Sequence, residues 1–148
     1  MVLSPCDVYE AQKAVMAAAE HKGPVYIRLA REATPIMTTE ESPFALGKAQ
    51  ICLERNQEHE RKVGIIATGT ILYNALMAAH NLNKKHRIGT SVLNLATIKP
   101  LDTEAVDRFA EDHDLIVTVE EHQMAGGLGG AIAEHLSNTN PKHILRIG

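Results

Sequence analysis

The sequence has little aromatic surface and no excess of positive charge. It contains no tryptophan, three tyrosines and two phenylalanines, so it lacks the stacking surfaces that single-stranded nucleic acid binders use. Its net charge is −3 at pH 7, so no basic field is available to hold nucleic acid or an anionic membrane. No apolar run approaches the roughly 20 residues of a membrane helix. Residues 1–7 lack the basic and apolar regions of a signal peptide.

Cysteine is also scarce, since only Cys6 and Cys52 occur. The two residues are far apart and neither belongs to a CxxC pair, so a disulfide framework is not indicated. Free cysteine usually behaves as a buried, apolar residue. We therefore expect two buried thiols in a reducing compartment, and a cytoplasmic protein.

The overall composition is that of an ordinary globular chain. The 148 residues are 45% hydrophobic and 22% charged, and this length suits one domain. The eight histidines are scattered without an HxH or HxxxH pair, so no metal site is indicated. From the residues alone we assign no catalytic residue, no metal ligand and no cofactor ligand to this chain.

Residues 1–30 have the pattern of one strand-helix-strand unit. Ser4, with a proline and an aspartate in the next turn, predicts a helix N-cap, and apolar residues at helical spacing follow. A short strand is predicted at 25–29. Residues 31–44, rich in proline and hydroxyl side chains, predict an extended linker. A unit this small cannot bury its own apolar face, so it should belong to a larger sheet or dock on another chain.

From residue 49 onward, predicted strands and helices alternate. Apolar and β-branched runs predict the strands, and apolar residues three and four apart predict the helices. The predicted strands are 49–53, 63–67, 90–95, 115–119 and 142–147, and the predicted helices are 71–82, 103–112 and 126–137. The turn at 68–70 is interpreted as the cap of the first of these helices.

This alternation predicts an α/β fold class. Strands joined by helices form a mostly parallel sheet that is covered on both faces. We expect a three-layer αβα arrangement with five strands, in which the strand at 49–53 lies at an edge and can run antiparallel. The strand-helix-strand piece of residues 1–30 is expected to precede this sheet as a separate unit.

A glycine-rich turn at 126–130 is the first candidate site. Backbone N–H groups at such a helix start can hold an anion, although the turn matches neither the dinucleotide fingerprint nor a phosphate loop. Its glycines, Gly126, Gly127 and Gly129 among them, also permit close packing of a helix on a strand. We favour the packing interpretation.

The polar residues directly before that turn are the second candidate site. Glu120, Glu121 and His122 follow a predicted strand, and ligands of open α/β sheets lie at the carboxyl ends of strands. A carboxylate beside a histidine can do acid–base chemistry, but no nucleophile adjoins it and neighbours on a strand point to opposite faces. Two interpretations stay open, a hydrogen-bonding cluster at an interface, which we favour, or a ligand contact.

Arg28 and Arg31 are the third candidate. Both lie at the end of the strand predicted at 25–29, and arginine is suited to bidentate recognition of phosphate or carboxylate. Arg31 precedes Glu32, so a local ion pair is the competing interpretation. The residues alone do not decide between the two.

Four ordered segments of the chain resemble the transketolase family. Residues 24–32 (PVYIRLARE) resemble the end of the family's pyrimidine-binding domain, and residues 65–70 (IIATGT) resemble the start of its C-terminal domain. Residues 95–102 (LATIKPLD) are similar to that domain's NLxTIKPLD segment. Residues 117–122 (VTVEEH), with the GGLG of the glycine-rich turn, resemble its TVEEH…GGLG segment. The histidine after two glutamates and the IKPLD segment favour transketolase proper.

The resemblance implies a division of the chain and a reaction. Residues 1–36 would be the tail of a pyrimidine-binding domain, residues 37–48 a linker and residues 49–148 a transketolase C-terminal domain. Family members use thiamin diphosphate and Mg²⁺ to transfer a two-carbon ketol unit between sugar phosphates. The Gly-Asp-Gly motif that serves the diphosphate and the metal does not occur here, and the catalytic residues of the family lie upstream. The implied role is structural and dimerising, with no cofactor bound by this chain alone and no activity alone.

Arg31 is the one substrate-binding residue that the resemblance implies. Leu29 and Arg31 match the L-x-R segment with which family members hold the phosphate of the sugar. Glu121 and His122 match a segment whose role we interpret as structural or interfacial. The implied partners are the N-terminal cofactor domains of the enzyme, a second copy in a homo-oligomer and a sugar phosphate, and we expect neither nucleic acid nor membrane as a partner.

Two alternatives stay open beside this interpretation. One is a free-standing, non-catalytic interaction or anion-binding module that uses the glycine-rich turn. The other is the same portion of a deoxyxylulose-phosphate synthase or of a 2-oxo-acid dehydrogenase β subunit. A fragment of a larger enzyme would expose the apolar face of the helix at 7–21 and self-associate. An independent module would be monodisperse and bind an anion by itself.

Overall fold

The computed structural model describes residues 1–148 and contains eight strands and four α-helices. The strands are β1 (Val2–Leu3), β2 (Tyr26–Ile27), β3 (Gln50–Leu53), β4 (Lys62–Ala67), β5 (Gly89–Asn94), β6 (Thr97–Lys99), β7 (Leu115–Val119) and β8 (His143–Ile147). The helices are α1 (Val8–Glu20), α2 (Leu72–Lys85), α3 (Thr103–Glu111) and α4 (Leu128–Thr139). None of these helices combines the length and the apolar composition that crossing a bilayer requires.

A five-stranded sheet organises the second half of the chain. Its strand order is β3-β5-β4-β7-β8, and every neighbouring pair is parallel except β3 with β5, which is antiparallel. The sequence prediction of a mostly parallel sheet with an edge strand at 49–53 is confirmed. The order reverses between β4 and β7, so the loops after these two strands flank the crevice in which open α/β sheets place their ligands.

Helices cover both faces of this sheet because successive strand residues point to opposite sides. Ile66 and Leu93 face α3 and α4, whereas Ile65 and Val92 face α2. The core on the side of α3 and α4 also contains Leu95, Val106, Phe109, Ala110, Ile116, Leu128, Ile132 and Leu136. The core on the side of α2 also contains Cys6, Ala67, Leu72, Ala75, Ala79 and Val117. The fold is therefore the predicted αβα arrangement.

The N-terminal strand-helix-strand piece forms a second, smaller sheet. Strand β1 is parallel to β2 and antiparallel to β6, in the order β2-β1-β6. The sheet is separate from the large one, as expected, but its third strand comes from the second half of the chain. Strand β6 was not predicted, because three residues ending at a proline carry no measurable periodicity.

Helix α1 is joined to the large sheet by a hydrogen bond from Asn94 on β5 to Glu10. Its inner side buries Ala14 and Glu10, and Cys6 directly before it joins the core beneath α2. On its outer side Val15 and Met16 are 48% and 68% exposed. The N-terminal piece thus docks on this chain's own second half and still leaves an apolar surface open.

The two cysteines differ in their environments. Cys6 is buried, and burial, reinforced by Glu10, raises the pKa of its thiol far above the ordinary value. Cys52 lies on the edge strand β3 and is exposed, so the expectation of two buried thiols is wrong for Cys52. Both thiols are free.

Asp7, and not Ser4, is the N-cap of α1. The Asp7 Oδ1 accepts from the backbone N–H of Glu10 at 3.0 Å, and its Oδ2 accepts from those of Met37 at 2.7 Å and Thr38 at 2.6 Å. Burial alone would raise the pKa of Asp7, but these bonds and one from the Thr38 hydroxyl hold the pKa below its ordinary value. The Ser4 backbone instead docks the N-terminal piece, because its N–H donates to Ala96 O at 2.8 Å.

Glu10 is a second buried carboxylate with the opposite behaviour. Its Oε2 accepts from the Cys6 backbone N–H at 2.6 Å, and its Oε1 accepts from Asn94 Nδ2 at 2.7 Å. Burial raises the pKa of Glu10 and outweighs these hydrogen bonds, and the Asp7 charge adds to the rise. The contact joins α1 to β5 of the large sheet.

Replacing Glu10 with glutamine is expected to stabilise the chain at pH 7. Glutamine keeps one acceptor for the Cys6 N–H, and its NH₂ group can donate to Asn94 Oδ1, which has no other partner, once the Asn94 amide turns over. The substitution also removes the charge whose burial is unfavourable, and we expect a gain on the order of 1 kcal/mol. Burial raises the pKa of Glu10 in the folded state. The charged carboxylate therefore destabilises the parent only above the unfolded-state pKa of about 4.3, and this destabilisation disappears as the pH falls below that value. Urea unfolding of parent and variant between neutral and acidic pH measures the difference. A variant that is less stable at pH 7 would show that the hydrogen bonds to the charged group outweigh its burial.

Candidate functional site

The Glu120 carboxylate closes the glycine-rich turn from within the chain. It is buried and accepts hydrogen bonds from the backbone N–H groups of Leu128 and Gly129, each at 2.8 Å. A carboxylate at this point also complements the positive end of the α4 dipole. Because a side chain of the protein itself occupies these two donors, they are not free for an external anion.

The glycines of this turn serve close packing. A Cβ atom at Gly127 would overlap the Glu120 carboxylate, and one at Gly129 would lie 2.7 Å from Thr118 Oγ1. Gly126 has a φ of 78°, a left-handed conformation that glycine adopts readily. The geometry supports the packing interpretation over the anion-binding one.

Glu121, directly after Glu120, has different partners. Its Oε2 accepts from Thr70 Oγ1 at 3.0 Å, and its backbone carbonyl accepts from Arg28 Nη2 at 2.8 Å. Arg28 Nη1 also lies 3.9 Å from Glu121 Oε2. Glu121 therefore connects the end of β2 with the turn that opens α2.

The turn at 68–70 does not cap α2, in contrast to the sequence interpretation. Thr68 Oγ1 donates to Leu95 O at 2.7 Å, and the Thr70 hydroxyl donates to Glu121. A short 3-10 turn, Gly69–Ile71, precedes α2, and no side chain caps either element. The two threonines instead hold neighbouring strand ends together.

His122 is exposed and pairs with no carboxylate. Its ring Nδ1 lies 3.2 Å from the carbonyl oxygen of Gln123. The acid–base pairing of Glu121 with His122 that the sequence left open is therefore not formed. His122 lines a cavity of about 790 Å³ between the small sheet and α4, together with Arg28, Lys99 and His135.

Arg31 is exposed and lines a neighbouring cavity of about 620 Å³. Its guanidinium makes no hydrogen bond and no ion pair, so the local pair with Glu32 is not formed. The walls of the cavity come from residues 28–35 on one side and from Thr70, Asn74 and Glu121 on the other. A free guanidinium in a polar cavity is a donor set for an anionic group.

The match to a family decides what this fold is. The family described as transketolase, C-terminal domain, matches residues 53–148. The chain belongs to the transketolase family. The matched residues run from the end of β3 to the C-terminus and include Glu121, His122 and the glycine-rich turn, whereas Arg28 and Arg31 precede them.

Individual members of the transketolase family align over the whole chain. A protein of Methanocaldococcus jannaschii, named as a transketolase C-terminal section, is 40% identical over 100% of this chain and 45% of its own length. An apulose-4-phosphate transketolase subunit of Phocaeicola vulgatus is 37% identical over 99% of this chain and 45% of its own length. A 1-deoxy-D-xylulose-5-phosphate synthase of Vibrio cholerae is 32% identical over 100% of this chain and 23% of its own length.

A solved transketolase structure has the same fold. It is described as a split gene transketolase, inactive beta4 tetramer, and superimposes with a TM-score of 0.91 at 35% identity. The alignment covers 98% of this chain and 46% of that chain. The present chain thus spans less than half the length of the transketolases that it matches.

The transketolase fold brings together only part of what the sequence singled out. Arg28 and Glu121 are in contact, and Arg31 shares a cavity with them. Thr70 and Asn74 complete this cavity, and the sequence offered no signal for either beyond their position at the start of a helix.

Proposed function

We propose that this chain is the C-terminal portion of a transketolase and that Arg31 binds the phosphate of its sugar phosphate substrate. The complete enzyme transfers a two-carbon ketol unit between sugar phosphates, as in the cytoplasmic pentose phosphate pathway. In this proposal the chain serves assembly of the oligomer and packing against the cofactor domains, and it is inactive alone.

The proposal divides the chain as its resemblances suggest. Residues 1–36 form the tail of a pyrimidine-binding domain, residues 37–48 a linker and residues 49–148 the C-terminal domain. The start of the family match at residue 53 supports the second boundary. The open apolar side of α1, with Met16 at 68% exposure, supports a role for the N-terminal part in contact with the remaining domains.

The observation that carries the phosphate role is the free Arg31 guanidinium in the cavity of about 620 Å³. Five N–H donors in a planar fork match two oxygens of a phosphate. The Thr34 hydroxyl and the Asn74 amide line the same cavity and can donate to or accept from a sugar. The Thr70 hydroxyl, which donates to Glu121, can accept.

The residues of this chain do not fit metal-bound thiamin diphosphate. No group of three histidine, cysteine, aspartate or glutamate side chains is placed to hold a metal ion. The helix N-terminus in the glycine-rich turn is filled by Glu120. In the proposal, thiamin diphosphate and Mg²⁺ belong to domains outside this chain, and no step of the reaction is assigned to residues here.

The alternatives are less well supported. An independent anion-binding module would use the glycine-rich turn, where Glu120 already takes two N–H groups. A deoxyxylulose-phosphate synthase portion is a member of the same family, but the aligned protein of that name is 32% identical, against 40% and 37% for the two transketolase relatives.

Replacing Arg31 with alanine in the complete enzyme is expected to raise KM for the sugar phosphate by about 10–100-fold. This range corresponds to the loss of a charged hydrogen-bonding contact to phosphate. We expect kcat to change much less, because Arg31 binds a group remote from the reacting carbon. Steady-state kinetics with the phosphorylated substrate measures the effect, and Arg108→Ala on α3 is the matched control, since Arg108 pairs with Glu104 on the surface. An unchanged KM would remove Arg31 from the substrate site.

A further inference from the structure

Arg28 occupies a junction between the two sheets. Its backbone N–H donates to Leu3 O at 2.8 Å, which extends the pairing of β2 with β1. Its side chain reaches the loop after β7, where Nη2 donates to Glu121 O at 2.8 Å. Arg28 is thus held by the small sheet through its backbone and holds the large sheet through its guanidinium.

The loop that carries the Glu121 carbonyl, to which Arg28 donates, is held by other hydrogen bonds. The Glu121 carboxylate accepts from Thr70 at the start of α2. The preceding residue, Glu120, is buried and bonded to the first turn of α4. The carbonyl that accepts from Arg28 therefore lies between two bonded side chains.

The segment that carries Arg31 has few other attachments. Residues 29–36 donate or accept no hydrogen bond, either through backbone or through side chain. The segment is bonded directly before its start, by Arg28, and directly after its end, where the Met37 N–H donates to Asp7 Oδ2 at 2.7 Å. Arg31 lies three residues from the first of these tethers.

We propose that Arg28 is a positioning residue that holds the 29–36 segment so that Arg31 faces the substrate phosphate. The proposal rests on the phosphate-binding role of Arg31 given above. Arg28 acts through Arg31, because Glu121 occupies one guanidinium nitrogen of Arg28 with its carbonyl and lies beside the other with its carboxylate. A segment held before binding loses less conformational freedom when the phosphate arrives, and this raises affinity without a new contact.

The test is a double-mutant cycle in the complete, cofactor-loaded enzyme. Arg28→Ala is expected to raise KM for the sugar phosphate and the inhibition constant of inorganic phosphate by the same factor, about three- to tenfold, with kcat little changed. Arg28→Ala/Arg31→Ala is expected to be no worse than Arg31→Ala alone, because Arg28 has no effect once Arg31 is absent. Arg108→Ala again serves as the matched arginine control.

Each other outcome decides against the proposal in its own way. A double variant whose KM rises by the product of the two single effects would make Arg28 an independent phosphate ligand. An Arg28→Ala enzyme with unchanged KM, beside an impaired Arg31→Ala enzyme, overturns the positioning role and leaves the proposed function intact. If Arg31→Ala has no effect either, both proposals fall.

Glu121→Ala provides a second variant in case Arg28→Ala fails to fold. It removes the carboxylate that bonds Thr70 and lies 3.9 Å from Arg28, but it keeps the backbone carbonyl. We expect KM and the inhibition constant of phosphate to rise by one common factor, which is smaller than the factor for Arg28→Ala, at an unchanged melting temperature. A Glu121→Ala enzyme with parental phosphate inhibition would overturn the proposal.

Discussion

Replacement of Asp7 by alanine is expected to lower the free energy of unfolding by about 4 kcal/mol. The carboxylate accepts four hydrogen bonds, from the backbone N–H groups of Glu10, Met37 and Thr38 and from the Thr38 hydroxyl. The loss combines an N-cap, worth about 0.5–2 kcal/mol, with bonds to a charged acceptor, worth about 1.5–3 kcal/mol each when they are not replaced by water. Urea unfolding followed by circular dichroism at neutral pH measures the loss.

Two controls make the Asp7 result specific. Asp7→Asn keeps one oxygen for the cap and is expected to lose about half as much, whereas Thr38→Val removes the hydroxyl bond alone and is expected to lose about 1 kcal/mol. Because the hydrogen bonds hold the pKa of Asp7 low, its contribution is present above the unfolded pKa of about 3.9 and is lost as the pH falls through the folded-state pKa. The difference in free energy of unfolding between parent and Asp7→Ala should therefore decrease in acid. A difference in free energy of unfolding below about 1 kcal/mol at neutral pH would show that water replaces the carboxylate as acceptor.

Replacement of Glu120 by alanine is expected to cost about 3 kcal/mol and to lower the melting temperature by about 10 °C. The buried N–H groups of Leu128 and Gly129 each lose a charged acceptor at 2.8 Å, and α4 loses the charge at its positive end. Thermal unfolding of the chain measures this change. Glu121→Ala is the matched control, because its side chain is exposed and its loss should change stability by no more than about 0.5 kcal/mol.

Gly127 offers a sharper test of the same contact. Gly127→Ala alone should destabilise the chain, because the added methyl group would overlap the Glu120 carboxylate. In the Glu120→Ala background that space is vacated, so the second substitution should cost little or restore some stability. Additive losses in the double variant would mean that Gly127 is constrained by something other than Glu120.

The elements of the second half could be predicted because their signals are local. Ile65 and Ile66 alternate between the two cores, and the apolar residues of α2 recur three and four apart. Such periods report which side of a strand or helix is buried, and their order along the chain implies parallel strands. The αβα layers and the edge position of the strand at 49–53 followed from this information, whereas the structure shows that this strand runs antiparallel.

The candidate site could be predicted only in outline. Arg28, Arg31 and Glu121 were singled out by residue type and by their positions at the ends of strands. Their arrangement was not, because Arg28 and Glu121 are 93 residues apart. The residues alone did not decide for or against an ion pair of Arg31 with Glu32, and the fold resolves the question by leaving the Arg31 guanidinium free.

The sequence by itself determined the αβα layers, the mostly parallel sheet and the family, because hydrophobic period and short motifs are properties of neighbouring residues. Only the tertiary structure decided which buried polar groups meet. Asp7 bonds Thr38 across 31 residues, and Glu10 bonds Asn94 across 84. A buried carboxylate needs donors that surround it in space, and no local preference specifies which distant segment supplies them. For the same reason the Ser4 backbone bonds the distant Ala96, whereas Asp7 is the N-cap of α1.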